Sequence, residues 1–173
     1  MRKFSLLLRQ IGLLKKTIKN TKEIELEWKR GSKICGMNKP LNKILLDTSI
    51  IIDYLRIRNK NSTILKYLAD KNYKLFISII SHTELYAGKN IWKEAVARKE
   101  LELVLSGLEI LNLDKTISIK AGKIRSEYNL EITDSIIAST ALSYKLKLAT
   151  LNIKDFKDIK GIQLLDFSKL VAS

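Results

Sequence analysis

Three acidic side chains, Asp47, Glu84 and Asp134, hold comparable places along this 173-residue sequence. Asp47 ends the apolar run Lys43-Ile44-Leu45-Leu46. Glu84 lies one turn into a helix that follows the run from Lys74 to Ile80, and Asp134 opens a helix ahead of Lys147-Leu148-Ala149-Thr150. In a βαβ unit the helix runs back against its strands, so helix starts gather at the strands' C-terminal edge. Three carboxylates brought together there repel and raise one another's pKa unless a cation sits among them. Oxygen ligands without nitrogen or sulfur suit Mg²⁺ or Mn²⁺, with waters and a substrate phosphate completing the coordination. The chemistry expected is metal-assisted phosphodiester hydrolysis, in which the metal lowers the pKa of a bound water and offsets charge on the phosphate.

Each carboxylate also has a local alternative. Asp47 precedes a helix and suits an N-cap. Ser81 to Glu84 has the spacing of a capping box, and Asp134 suits a first turn capped by Thr133. Asp114 has the same look and is assigned to capping, and His82 to a structural or surface place. Other sites find less support. The seven glycines never cluster into a phosphate loop. Asp47-Thr48-Ser49 lacks the second aspartate of a haloacid-type phosphotransfer site, and no acidic pair of the receiver type precedes it.

The elements that must position these residues follow from the apolar pattern. Strands are expected at 43–46, 74–80, 108–113, 147–150 and 162–165. Helices are expected from about Ile50, over Ser62 to Ala69, from Ser81, from Trp92 to Leu105, from Asp114 to Tyr128, and from Ile132. Their alternation predicts an α/β fold, with a mostly parallel central sheet of about five strands flanked by helices. Upstream, Phe4, Leu7, Leu8, Ile11, Leu14 and Ile18 recur at helical spacing among basic residues, the pattern of a basic amphipathic helix. Arg9-Gln10 breaks its apolar segment, which argues against a secretory signal. Gly31, Gly36 and Pro40 set the expected domain boundary, with an N-terminal extension over 1–36 and the main domain over 37–173. Met37 is an alternative translation start.

Composition narrows the partners. The net charge is +14, and residues 1–36 hold 10 of the 32 Lys+Arg but 3 of the 18 Asp+Glu, so they carry half of it. Such a balance points to a polyanion, nucleic acid first and an anionic membrane surface second. One cysteine, Cys35, and one histidine exclude an internal disulfide framework and a Cys/His zinc site. No apolar run approaches the length that spans a membrane, so no stable membrane insertion is expected.

Four stretches taken together resemble a known family. Ile44-Leu45-Leu46-Asp47-Thr48-Ser49, Ser78 to Gly88 (SIISHTELYAG), Thr133-Asp134-Ser135-Ile136-Ile137-Ala138 and Thr150-Leu151-Asn152-Ile153-Lys154-Asp155-Phe156 are similar, in order, to the motifs of PIN-domain ribonucleases. The nearer likeness is to the VapC-type toxins of toxin–antitoxin pairs. The resemblance spans about 43–166 and has no counterpart for 1–36. It implies a PIN-like three-layer fold and a cytoplasmic, Mg²⁺- or Mn²⁺-dependent endoribonuclease that acts on RNA, forms a homodimer and is inhibited by a cognate antitoxin. It also implies that Asp47, Glu84 and Asp134 hold the metal while Thr48 and Thr150 orient those ligands. A non-catalytic nucleic-acid-binding module of the same fold, and an RNA-processing nuclease without an antitoxin, are the alternatives. Asn152 occupies the fourth acidic position. Residues two apart on an extended chain share a face, so Asn152 is expected to point to the site beside Thr150 as an indirect or water-mediated contact. Asp155 is expected to be mainly a turn or capping residue, and a second metal to bind weakly until RNA adds its charge.

Overall fold

The computed structural model describes residues 43–71 and 73–167. The amphipathic helix, the boundary near 37 and the alternative start at Met37 lie outside the described residues.

The chain runs β1 (Lys43–Leu46), α1 (Thr48–Arg56), a 3₁₀ turn (Lys60–Ser62), α2 (Ile64–Asp70), β2 (Lys74–Ser78), α3 (Ile79–Tyr86), α4 (Ala95–Leu105), β3 (Glu109–Leu111), α5 (Lys115–Tyr128), α6 (Ile132–Tyr144), β4 (Lys147–Ala149) and α7 (Ile153–Phe156). Every strand pairing is parallel, and the order across the sheet is β3-β2-β1-β4. The parallel α/β expectation therefore holds. β1 is central, with Leu45 opposite Phe76 on one side and Leu148 on the other.

Period-two alternation sends successive β1 side chains to opposite faces. Ile44 and Leu46 join a core with Ile51, Tyr54, Leu65, Leu68, Leu101 and Val104, from α1, α2 and α4. Leu45 joins the other core with Phe76, Ile124, Ile137, Ala138, Leu148 and Phe156, under α5, α6 and α7. Helices thus cover both faces, as a parallel sheet requires. Among the described residues no helix is long and apolar enough to cross a membrane.

Several boundaries differ from expectation. The sheet has four strands, not five. The segment 162–165 makes a single bridge, Leu148 to Leu164, with Leu148 N–H on the Gln163 carbonyl and Leu165 N–H on the Leu148 carbonyl, each at 2.8 Å. β4 is only three residues long and leaves little for a fifth strand to pair with. β2 stops at Ser78, because the Ser78 hydroxyl accepts the Ile80 N–H at 3.1 Å and so caps α3. The helix expected from Trp92 starts at Ala95, after a turn through residues 88–94. β3 is shorter than 108–113 at both ends.

Candidate active site

All of the strands end on one edge, and the acidic residues are delivered there. Asp47 directly follows β1 and is 2% exposed. It stands at the N-cap position of α1, yet its side chain accepts no capping bond. Its Oδ2 instead accepts the Ser49 hydroxyl and the Thr150 hydroxyl, each at 2.6 Å. Each hydroxyl is itself held by a backbone amide of the chain leaving β4. Leu151 N–H donates to Ser49 Oγ at 3.1 Å, and Asn152 N–H donates to Thr150 Oγ1 at 2.9 Å. Both donors converge on one oxygen, and no donor among the described residues is recorded on Oδ1. The carboxylate is aimed, with one oxygen left for something else.

Glu84 is half-buried in the second turn of α3, and its Oε2 accepts the Thr48 hydroxyl at 2.6 Å. The capping-box alternative is excluded by the helix start. With Ser78 as the cap, Ser81 is an interior helix residue with its hydroxyl buried and unpaired. Asp134 lies in the first turn of α6, but the cap is Glu131 and Thr133 is already helical. Asp114 behaves as expected of a capping residue, its Oδ1 accepting the Ile117 N–H at 2.8 Å. The contrast is informative: Asp114 spends its oxygen on a helix end, whereas Asp47 and Glu84 face hydroxyls instead.

Electrostatics ties the group together. The Asp134 carboxyl is pushed up to about 6, first by burial and then by the charges of Asp47, Asp155, Glu84 and Glu131. The charges of Asp47, Glu84 and Asp155 thus all reach Asp134, and none of the four has a Lys or Arg ion-pair partner among the described residues. Nor, among the described residues, do three His, Cys, Asp or Glu side chains form a ready-made metal cage. Oxygen-only donors, excess negative charge and an open arrangement fit a hard cation that keeps several of its waters. A closed tetrahedral site would look different.

Two residues stand differently from expectation. Asn152 is exposed, and the bond it makes to the site runs through its backbone amide. Its side chain does not follow Thr150 along an extended strand, because β4 ends at Ala149 and the chain bends at Leu151. Asp155 sits in the first turn of α7, as a turn residue would, yet its half-buried charge reaches Asp134. Ser49 escaped sequence reasoning altogether. The available signal was a second hydroxyl two residues after Asp47.

A parallel sheet with helices on both faces and carboxylates delivered to its C-terminal edge defines an α/β protein with an acidic site. The profile of the PIN domain family matches residues 44–162. The tRNA(fMet)-specific endonuclease VapC of Salmonella typhimurium is 32% identical over 133 residues, covering 72% of this chain and 98% of that protein. Ribonuclease VapC1 of Rickettsia felis is 33% identical over 134 residues, covering 72% and 96%. Among solved structures, a toxin–antitoxin complex from Klebsiella pneumoniae superposes with a TM-score of 0.56 at 30% identity, covering 69% of this chain and 94% of that one. The chain belongs to the PIN domain family, and within it to the VapC-type ribonucleases.

Proposed function

We propose that the chain is the toxin of a toxin–antitoxin pair, an endoribonuclease in which Asp47, Glu84 and Asp134 hold Mg²⁺ or Mn²⁺. The observation that carries the reading is that Asp47, Glu84 and Asp155 all act on the Asp134 carboxyl at one sheet edge, where no Lys or Arg among the described residues pairs with any of them. A folded chain tolerates such repulsion at a site whose counter-charge arrives with a ligand. When bound, the cation would supply Lewis acidity, easing ionisation of water and offsetting charge that develops on the phosphate. The chain's own part is positioning. Thr150 and Ser49 hold one oxygen of Asp47, and Thr48 holds one oxygen of Glu84, so neither carboxylate has to be reoriented when RNA arrives. Asp134, with a pKa near 6, is mostly ionised at neutral pH and adds its charge there.

An antitoxin partner is supported by the Klebsiella pneumoniae likeness, since that solved structure is a toxin–antitoxin complex. A homodimer and a cytoplasmic location belong to the same reading and rest on the family. The end groups of the cleaved RNA test the chemistry. Attack by water leaves one free hydroxyl end and one phosphate monoester end. Products ending in a 2′,3′-cyclic phosphate would assign the nucleophile to the RNA's own 2′-hydroxyl and remove the need for this site.

A further inference from the structure

Trp92, in the turn between α3 and α4, is 64% exposed and yet fixed in place. Its indole N–H donates to the Tyr86 carbonyl at 2.8 Å, which pins the ring beside α3. Tyr86 meets it tilted by 40°, with ring centroids 6.1 Å apart, and His82 meets Tyr86 at 4.9 Å. A tilted neighbour does not cover the indole face, and the exposure leaves that face to solvent. The ring is held out in water and prevented from folding away.

Its surroundings are cationic. Lys89, Lys93 and Arg56 are exposed and have no ion pair among the described residues, against Glu94 as the acidic residue of the turn. A groove of about 370 Å³ has Glu84, Leu85, Arg56, Lys89 and Ile91 in its lining, and Ile91 is the residue before Trp92. An immobilised aromatic ring in the same turn as unpaired lysines, next to a groove lined by Arg56 and Lys89, is a combination that suits single strands, a base stacking on the ring and phosphates meeting the charges. A protein partner would have to bring carboxylates to the same cations, whereas a single strand carries phosphate and base together.

We infer that Trp92 stacks against an unpaired base of single-stranded RNA, while Arg56 and Lys89 hold phosphates of the strand leading along the groove to Glu84. This rests on the ribonuclease reading and adds a base-binding subsite to it. The subsite lies outside the carboxylate cluster and would set where along a strand the cleaved bond falls.

Trp28 is the other tryptophan of the chain, so full-length protein carrying Trp28→Phe reports on Trp92 alone. In an Asp134→Asn background, which keeps the strand intact, a short oligoadenylate should quench Trp92 emission. An abasic ribose-phosphate strand of equal length should not. Trp92→Ala should weaken oligoadenylate binding roughly tenfold, with Trp92→Phe recovering most of the loss. Lys89→Ala should weaken both strands alike and reduce the salt slope by about one. Unquenched emission at saturating RNA, or unchanged affinity in Trp92→Ala, would overturn the assignment. Emission that follows the protein's own concentration instead would give the ring to a contact between copies, and would overturn it too. Binding is read without cleavage, so quenching stands even if the carboxylates prove inert. A protein that cleaves RNA with Trp92 unquenched refutes this inference alone.

Discussion

The Thr150 hydroxyl donates to Asp47 Oδ2 at 2.6 Å across 103 residues of sequence, joining the ends of two neighbouring strands. Both side chains are buried, and the Asn152 amide fixes the hydroxyl from its other side. The bond joins a buried donor to a buried carboxylate, where loss of the donor is felt most.

The first prediction follows from that bond. Thr150→Val keeps the shape and removes the donor, and hydrogen bonds to charged groups contribute about 1.5–3 kcal/mol. Cleavage should therefore fall roughly tenfold to a hundredfold, with the fold intact. Thr150→Ser, which keeps a hydroxyl, should retain most of the activity. Steady-state cleavage of one RNA by the three proteins checks this, and equal rates for Val and Ser would show that the hydroxyl is idle.

Asn152 and Asp155 should separate in the opposite sense to their motif positions. The Asn152 side chain is exposed and its amide survives truncation, so Asn152→Ala should change activity by no more than about twofold. Asp155→Asn removes a charge that acts on Asp134, and should lower both the Asp134 pKa and the affinity for Mn²⁺. Calorimetric titration of the metal-free variants tells them apart. Asn152→Ala binding Mn²⁺ more weakly than Asp155→Asn would reverse the assignment.

The raised pKa of Asp134 makes a statement about pH. A carboxyl whose pKa rises from 3.8 unfolded to about 6 folded favours folding fully below the lower value. That contribution is lost as pH climbs through the upper one. Metal-free wild type should therefore lose stability between about pH 4 and pH 6 relative to Asp134→Asn, and Mn²⁺ should restore it above that window. Thermal unfolding of both proteins across the range provides the check. A stability difference that does not change with pH would mean that neither burial nor the neighbouring charges raise the Asp134 pKa.

Much of the fold could be read from residue order. Ile44-Leu45-Leu46 and Leu75-Phe76-Ile77 are buried on both faces, so their runs are continuously apolar and their parallel pairing is legible. The delivery of Asp47, Glu84 and Asp134 to one edge is legible for a topological reason, since strand ends and helix starts meet there. The failures are local or very long-range. Whether Ser78 or Ser81 begins α3 depends on a single hydroxyl bond, and either serine suits the position. The roles of Ser49 and Asn152 depend on how the chain bends after Ala149, beside residues a hundred positions earlier. Periodicity carries no information about that bend.

The extension should be dispensable for folding, since Gly31, Gly36 and Pro40 punctuate the passage from it to β1. Among the described residues both hydrophobic cores draw on the stretch from Ile44 to Phe167. A chain starting at Met37 should unfold in one cooperative transition and cleave RNA about as well as the full protein. Loss of the transition on thermal unfolding would show that residues 1–36 complete a core.

The central claim is that Asp47, Glu84 and Asp134 act together through a divalent cation. Its most direct test is single-turnover cleavage of one RNA by wild type and Asp47→Asn in Mn²⁺, with wild type in EDTA alongside. Asp47→Asn removes a charge at nearly constant shape, and near-ultraviolet circular dichroism would verify that the fold persists. The expected result is loss of at least about a hundredfold in the variant and no cleavage in EDTA. Cleavage by wild type that survives EDTA, or a folded Asp47→Asn that cuts at the wild-type rate, would contradict it.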